Sequence, residues 1–116
     1  MSTFMRQGEI WLIDLDPTRG AELQKVRPAI IVNDDTLVKL PLKVIGPITD
    51  WKDRYKIVPW MVRLEPSPHN GLQKSSVIDC FQVRSISQER MLKKLGYIDE
   101  NNLVDIKEAI KKVFSL

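Results

Sequence analysis

The chain has 116 residues, 43% of them hydrophobic and 28% charged, with a net charge of +3 and a pI near 9.1. That length and balance fit one globular domain, residues 1–116, with a modest hydrophobic core. No apolar run approaches the ~20 residues that span a bilayer, and no signal-peptide pattern opens the chain. The lone Cys80 excludes an internal disulfide and fits a reducing, cytoplasmic setting.

From Asp99 to the end, three lysines face four acids, −1 in total, which leaves +4 for the rest. Mild basicity of this kind permits a nucleic-acid or acidic-peptide partner without demanding one.

Glu9 to Leu15 mixes β-branched and aromatic residues and predicts a first strand, entered through Gly8 and closed by Asp16–Pro17. The stretch from Asp16 to Asn33 follows. Its first two-thirds is a polar, turn-rich loop carrying Arg19, Glu22, Lys25 and Arg27; its last third is a dense apolar run that must be buried. Pro28 biases Arg27 to extended backbone and suits the first position of a second strand, Pro28 to Asn33. An arginine therefore stands on rigid structure at the mouth of a loop.

Lys43 to Thr49 predicts a third strand, made an edge or bulged by Gly46–Pro47, because proline cannot donate to a ladder. Trp51 to Lys56 reads as a basic loop with two aromatics and Ile57 to Leu64 as a fourth strand stopped by Pro66 and Pro68. Asn70–Gly71 reads as a turn and Ser76 to Val83 as a fifth strand.

The period then changes. Ser87 caps an expected helix with Glu89 in its first turn, Lys93 and Lys94 in its last, and Gly96 as its end. Asp99 caps a second helix with Leu103, Ile106, Ile110, Val113 and Phe114 on one face. The fold class is mainly β with α: a strongly bent sheet or half-open barrel with one face closed by the terminal helix. An edge strand and an apolar stripe also suit a dimer.

A single histidine, His69, and a single cysteine leave no transition-metal spacing and no imidazole-based triad; the dispersed glycines form no phosphate loop. Cations and hydroxyls remain. The fork of Arg27 suits a phosphodiester and can stabilise charge developing on phosphate or hand a proton to a leaving oxygen. Thr49 offers a hydroxyl to a phosphoryl oxygen, and Glu22 is a candidate general base. Each also has a plain reading, as solvated cation, strand residue and loop acid. The stretch from Trp51 to Lys56 alternates aromatic and basic residues, as single-strand platforms do. Trp51 is equally readable as a core residue, and Lys25, Lys52, Arg54 and Lys56 as solvent-facing cations.

Several segments stand in one order along nearly the whole chain. They are Gly8-Glu9-Ile10-Trp11, Asp14-Leu15-Asp16-Pro17, Gly20-Ala21-Glu22, the run from Val26 to Asn33 that opens Val-Arg-Pro, Pro47-Ile48-Thr49 and Gly71-Leu72. The run Ser76 to Ile86 and the stretch from Leu95 to Phe114 complete the set. In this order they resemble the MazF/PemK (Kid) family of toxin endoribonucleases. The resemblance implies an SH3-like barrel of about five to seven strands with a short helix and a C-terminal helix, assembled as a homodimer. It also implies sequence-selective cleavage of single-stranded RNA without metal or cofactor. The substrate's 2′-hydroxyl attacks its own phosphate, leaving a 2′,3′-cyclic phosphate and a 5′-hydroxyl.

Carried over by position, Arg27 and Thr49 are the expected catalytic residues and Glu22 the matching loop acid. The expected RNA contacts are Arg19, Lys25, Trp51, Lys52, Asp79 and Gln82, and a further partner is an antitoxin with a flexible acidic tail. One departure stands out: many relatives place an acid directly before the glutamine matching Gln82, and here that residue is Phe81. Asp79, two residues earlier on the same side of an extended strand, can partly substitute, or the acid is dispensable. Two other readings stay open: a non-enzymatic barrel that binds a protein target through its C-terminal helix, as CcdB-type toxins do, and an RNA-binding relative that does not cut.

Overall fold

The computed structural model describes residues 5–37 and 39–116. Its elements are β1 (Glu9–Asp14), β2 (Val26–Ile31), β3 (Leu42–Asp50), β4 (Met61–Leu64), β5 (Ser76–Asp79), β6 (Arg84–Ser87), β7 (Met91–Tyr97) and α1 (Glu100–Phe114). The strands pair antiparallel in the order β4-β5-β3-β2-β1-β7, and β6 also pairs with β3.

β3 is the hub. On one side it pairs with β2 through Ile45 to Pro47; on the other it pairs first with β6 and then with β5. Of the two expected alternatives, edge or bulge, the edge does not hold: β3 is central. Pro47 is tolerated because it falls between the two partners: β6 pairing ends at Ile45 and β5 pairing begins at Ile48. Gly46 sits in the same gap, where a Cβ would lie 2.6 Å from Ile78 Cδ1.

Alternation along the strands feeds two apolar clusters. Ile10, Ile30, Ile48 and Ile78 face α1, where Ile106 and Ala109 are buried and Leu103 and Ile110 pack alongside. Trp11, Ile13, Ala29, Ile31 and Ile45 point the other way and meet Ile86 and Met91. Each fully buried aliphatic side chain contributes about 1.5–3 kcal/mol. α1 begins where expected, with the Asp99 carboxylate accepting from Asn102 N–H at 2.8 Å, and ends on left-handed Ser115 after Lys111 and Lys112. The far end of the predicted apolar stripe is not covered: Phe114 is exposed.

The expected helix from Ser87 to Gly96 is instead the end of β6, one 3₁₀ turn and β7. Ser87 does cap, its hydroxyl accepting from Glu89 N–H, but the turn stops at Arg90. From Met91 the chain lies along β1, whose buried backbone needs partners on that side. That long-range demand overrides the local helix signals. Other boundaries also move. β2 starts at Val26 rather than Pro28, β4 starts at Met61 rather than Ile57, which instead ends a 3₁₀ turn in the expected loop, and the fifth strand stops at Asp79, where a 3₁₀ turn at Cys80–Gln82 leads on to an unexpected β6. Among the described residues, no helix is long and apolar enough to cross a membrane.

Candidate active site

Arg27 stands in β2 opposite Ile13, and Thr49 near the end of β3 opposite Val77. Pairing of β2 with β3 brings the two half-buried side chains together. Arg27 Nη1 donates to Thr49 Oγ1 at 3.3 Å, and Nε donates to the Gln24 carbonyl at 2.7 Å. With one bond to the loop and one to the sheet, the guanidinium plane is held at the mouth of an open groove of about 450 Å³. Lys25, Lys74, Ser76 and Asp50 also line it, so three cations share the groove with one carboxylate. Such a surface suits an anion with several phosphate groups.

The loop between β1 and β2 is tied down at three levels. At its base, Lys25 adopts φ 70°, unusual for a residue with a side chain. Its N–H donates to Asp16 Oδ1 at 2.9 Å, and its carbonyl accepts from Leu15 N–H at 3.0 Å. Below, Arg84 reaches the Leu15 carbonyl, and Arg90 those of Asp14 and Asp16. At the crest, Gln82 accepts from Leu23 N–H at 2.7 Å and donates to the Ala21 carbonyl at 3.4 Å.

Glu22 rides on that crest, its carboxylate accepting from Arg19 N–H at 2.7 Å. It lines a neighbouring hollow of about 240 Å³ with Phe81 and Gln82, not the groove of Arg27 and Thr49. Asp79 is buried; its carboxylate accepts from Phe81 N–H at 3.0 Å and from Gln82 Nε2 at 3.1 Å, so it orients the glutamine. Trp51 is half-buried, with the Arg63 guanidinium 4.6 Å over its ring and Tyr55 edge-on at 6.1 Å. Arg19 and Lys52 are exposed.

Burial, aided by the negative charge of Asp79, pushes the Cys80 thiol up to about 12, which leaves it a small apolar core residue at neutral pH. His69 stacks on Tyr97 and is not among the residues that line the groove. Among the described residues, no three His, Cys, Asp or Glu side chains converge as a metal site. The sequence reading missed Asp50, Lys74 and Ser76 as groove residues. Only the register that sets Asp50 opposite Ser76 brings them there, and nothing in local composition signals it.

A family model for PemK-like, MazF-like toxins of type II toxin–antitoxin systems matches residues 6–114. The chain is similar to Endoribonuclease MazF9 of Mycobacterium tuberculosis, 37% identical over 111 residues that cover 92% of this chain and 93% of that protein. It is also similar to Endoribonuclease MazF of Staphylococcus epidermidis, 34% identical over 107 residues, with coverage of 91% and 88%. Among solved structures, MazF of Deinococcus radiodurans superposes with a TM-score of 0.82 at 18% identity, over 99% of this chain and 100% of that one. An endoribonuclease from a mycobacterial species, in complex with its cognate antitoxin, gives 0.76 at 16% identity over 96% and 95%. These structural likenesses bear on the fold alone, and they bear out the expected bent sheet with a C-terminal helix.

Proposed function

The chain belongs to the PemK-like, MazF-like toxins of type II toxin–antitoxin systems, and we propose that it is an endoribonuclease whose cutting centre is the Arg27–Thr49 pair. The observation that carries this reading is the 3.3 Å contact between guanidinium and hydroxyl at the mouth of a groove lined by three cations. Its substrate is single-stranded RNA, whose flexible backbone can be splayed along such a groove.

In the proposed reaction the 2′-oxygen attacks the adjacent phosphorus as its proton leaves to a base. The bond from phosphorus to the 5′-oxygen breaks, and that oxygen takes up a proton. The products are a 2′,3′-cyclic phosphate and a 5′-hydroxyl. The Arg27 guanidinium stabilises the charge growing on the phosphoryl oxygens, with the Thr49 hydroxyl as a second donor. Glu22 serves as base only if the crest of its loop swings toward the groove. Lys25 contacts phosphate directly. Arg19, Trp51 and Lys52 meet flanking nucleotides, and Asp79 and Gln82 act on RNA through the loop they hold.

The same cationic groove suits the flexible acidic tail of a cognate antitoxin, which would block RNA by occupying it. The proposal includes a homodimer, testable as a sedimentation mass of twice the 13.4 kDa chain, and a cytoplasmic location, which suits the buried free thiol of Cys80.

The test is to incubate purified protein with a long RNA and EDTA and map the new ends. Cuts at a recurring short sequence with 5′-hydroxyl ends are expected. RNA left intact by folded protein would count against the nuclease, and retained binding would then identify an RNA-binding relative that does not cut. The non-enzymatic, CcdB-like reading is not favoured, since the relatives of similar length are endoribonucleases.

A further inference from the structure

Lys74 lines the same groove as Lys25, in the segment that leads into β5, which pairs with β3 on the side opposite β2. Its ammonium lies 3.0 Å from Asp50 Oδ1 and 3.2 Å from Oδ2. Asp50 directly follows Thr49 in β3. Both members of this ion pair are largely exposed, at 70% and 59% of their side-chain surface. An exposed pair of this kind is held weakly and is screened by salt, so it does little to hold β3 against β5.

The backbone beneath it is firmly placed without it. Trp51 N–H donates to the Ser75 carbonyl at 3.1 Å, and the Ser76 hydroxyl donates to the Lys74 carbonyl at 2.9 Å. Lys74 is thus an exposed cation on a hydrogen-bonded base, beside the only carboxylate among the described residues that line the groove.

We propose that Lys74 binds a phosphate of the RNA next to the one cut between Arg27 and Thr49, and that Asp50 is the counter-ion this phosphate displaces. The inference rests on the nuclease reading of the groove and adds a phosphate-binding residue and its electrostatic mask to it. In the free protein the mask leaves Arg27 and Lys25 as the groove's unneutralised charges. When RNA enters, a phosphate takes the ammonium and Asp50 turns to water. Only a polyanion that reaches across β3, from the β2 side to the β5 side, gains the third contact, which favours a chain of phosphates over a single free anion.

The experiment measures binding of a mixed-sequence RNA by fluorescence anisotropy across a series of KCl concentrations. The RNA carries 2′-O-methyl groups, which block the attacking oxygen and prevent cleavage. Each phosphate neutralised on a single strand steepens the dependence of log affinity on log salt by about 0.7. Lys74→Gln is expected to weaken binding and flatten that slope by about this amount, while Lys74→Arg retains it. Asp50→Asn is expected to tighten binding several-fold at low salt, and most of that gain should vanish in the Asp50→Asn, Lys74→Gln double variant.

A Lys74→Gln slope equal to the wild type overturns the proposal. So does weaker binding by Asp50→Asn, which would make the pair a structural clasp. Thermal melting of each variant reports whether the fold is intact, and Asp50→Asn carries the test if Lys74→Gln does not fold. Wild-type protein that shows no salt-dependent RNA binding overturns the nuclease reading as well. Wild-type protein that binds normally beside an unchanged Lys74→Gln overturns this inference alone.

Discussion

Gln82 accepts the Leu23 amide N–H at 2.7 Å, across 59 residues of sequence. Asp79 makes that contact specific. By accepting from Gln82 Nε2, it turns the amide so that the oxygen receives the Leu23 N–H, while the same nitrogen also reaches the Ala21 carbonyl. Phe81 stands between them with its side chain exposed and its N–H on Asp79.

Gln82→Ala should release the loop crest at a cost of about 1 kcal/mol, roughly a fivefold shift in its opening equilibrium. Amide hydrogen exchange at Glu22, Leu23 and Gln24 measures it directly. Asp79→Ala should give much the same increase, and the double variant little more, because both act on one contact. Independent, additive effects would show that Asp79 does not work through Gln82.

Thr49→Val keeps the shape of the strand and removes the hydroxyl. Cleavage is expected to fall by about 10²–10³-fold, the usual cost of one lost oxyanion donor, with little change in melting temperature. Thr49→Ser should retain most activity. Arg27→Lys keeps the charge but loses the fork that spans Thr49 and Gln24, so it should be nearly as impaired as Arg27→Ala. Normal cleavage by Thr49→Val would reduce the hydroxyl to a mere support for the arginine.

Glu9 predicts an acid-sensitive joint between β1 and β7. Burial works against its charge, yet the Lys94 ammonium at 2.9 Å, the Trp11 indole N–H at 3.0 Å and the Arg6 N–H at 3.1 Å together hold its carboxyl below the usual value of 4.5. A carboxyl lowered in the folded state stabilises the protein in full above its unfolded value, and that stability is lost as pH falls through the folded one. Resistance to denaturant should therefore fall below about pH 4.5, and Glu9→Gln should blunt that dependence. Glu9→Ala, which strands the buried indole N–H, should cost about 1–3 kcal/mol at neutral pH. An identical acid limb in Glu9→Gln and wild type would place the sensitivity elsewhere.

Two glycines allow a contrast of obstacles. A Cβ at Gly96 would stand 2.1 Å from the His69 carbonyl oxygen, a backbone atom that also accepts from Tyr97 N–H. At Gly46 the obstacle is the end of the Ile78 side chain. Gly96→Ala should thus cost about 3 kcal/mol or more, at the upper end of overpacking effects, and Gly46→Ala about 1–3 kcal/mol as Ile78 shifts. Urea unfolding of both variants decides the order. A larger loss at Gly46 would mean that the Ile78 side chain has no room to move.

Much of the fold is legible in the residues because the signals are local. The Glu9 to Leu15 run alternates between two cores, and Asp99 with Ile106 and Ile110 describes a capped, one-faced helix. The residues from Ser87 to Gly96 carry equally good local helix signals, yet all but a single 3₁₀ turn of them is strand. Their structure answers the unpaired side of β1, some eighty residues earlier in the chain. Pro47 misled in the same way: a residue that argues for an edge is central here because β3 changes partners at that point.

The candidate site divides along the same line. By itself the sequence determined the chemical inventory: an arginine held by Pro28 in extended backbone, a strand threonine, a loop acid, and neither a second histidine nor a second cysteine. These are properties of side chains and of near neighbours. Only the tertiary structure decided which of them meet. Strand pairing set Arg27 against Thr49, added Asp50 and Lys74 to their groove, and left Glu22 at the next hollow in the grip of Arg19. Register is fixed by burial of the whole sheet at once, so no single segment carries that information.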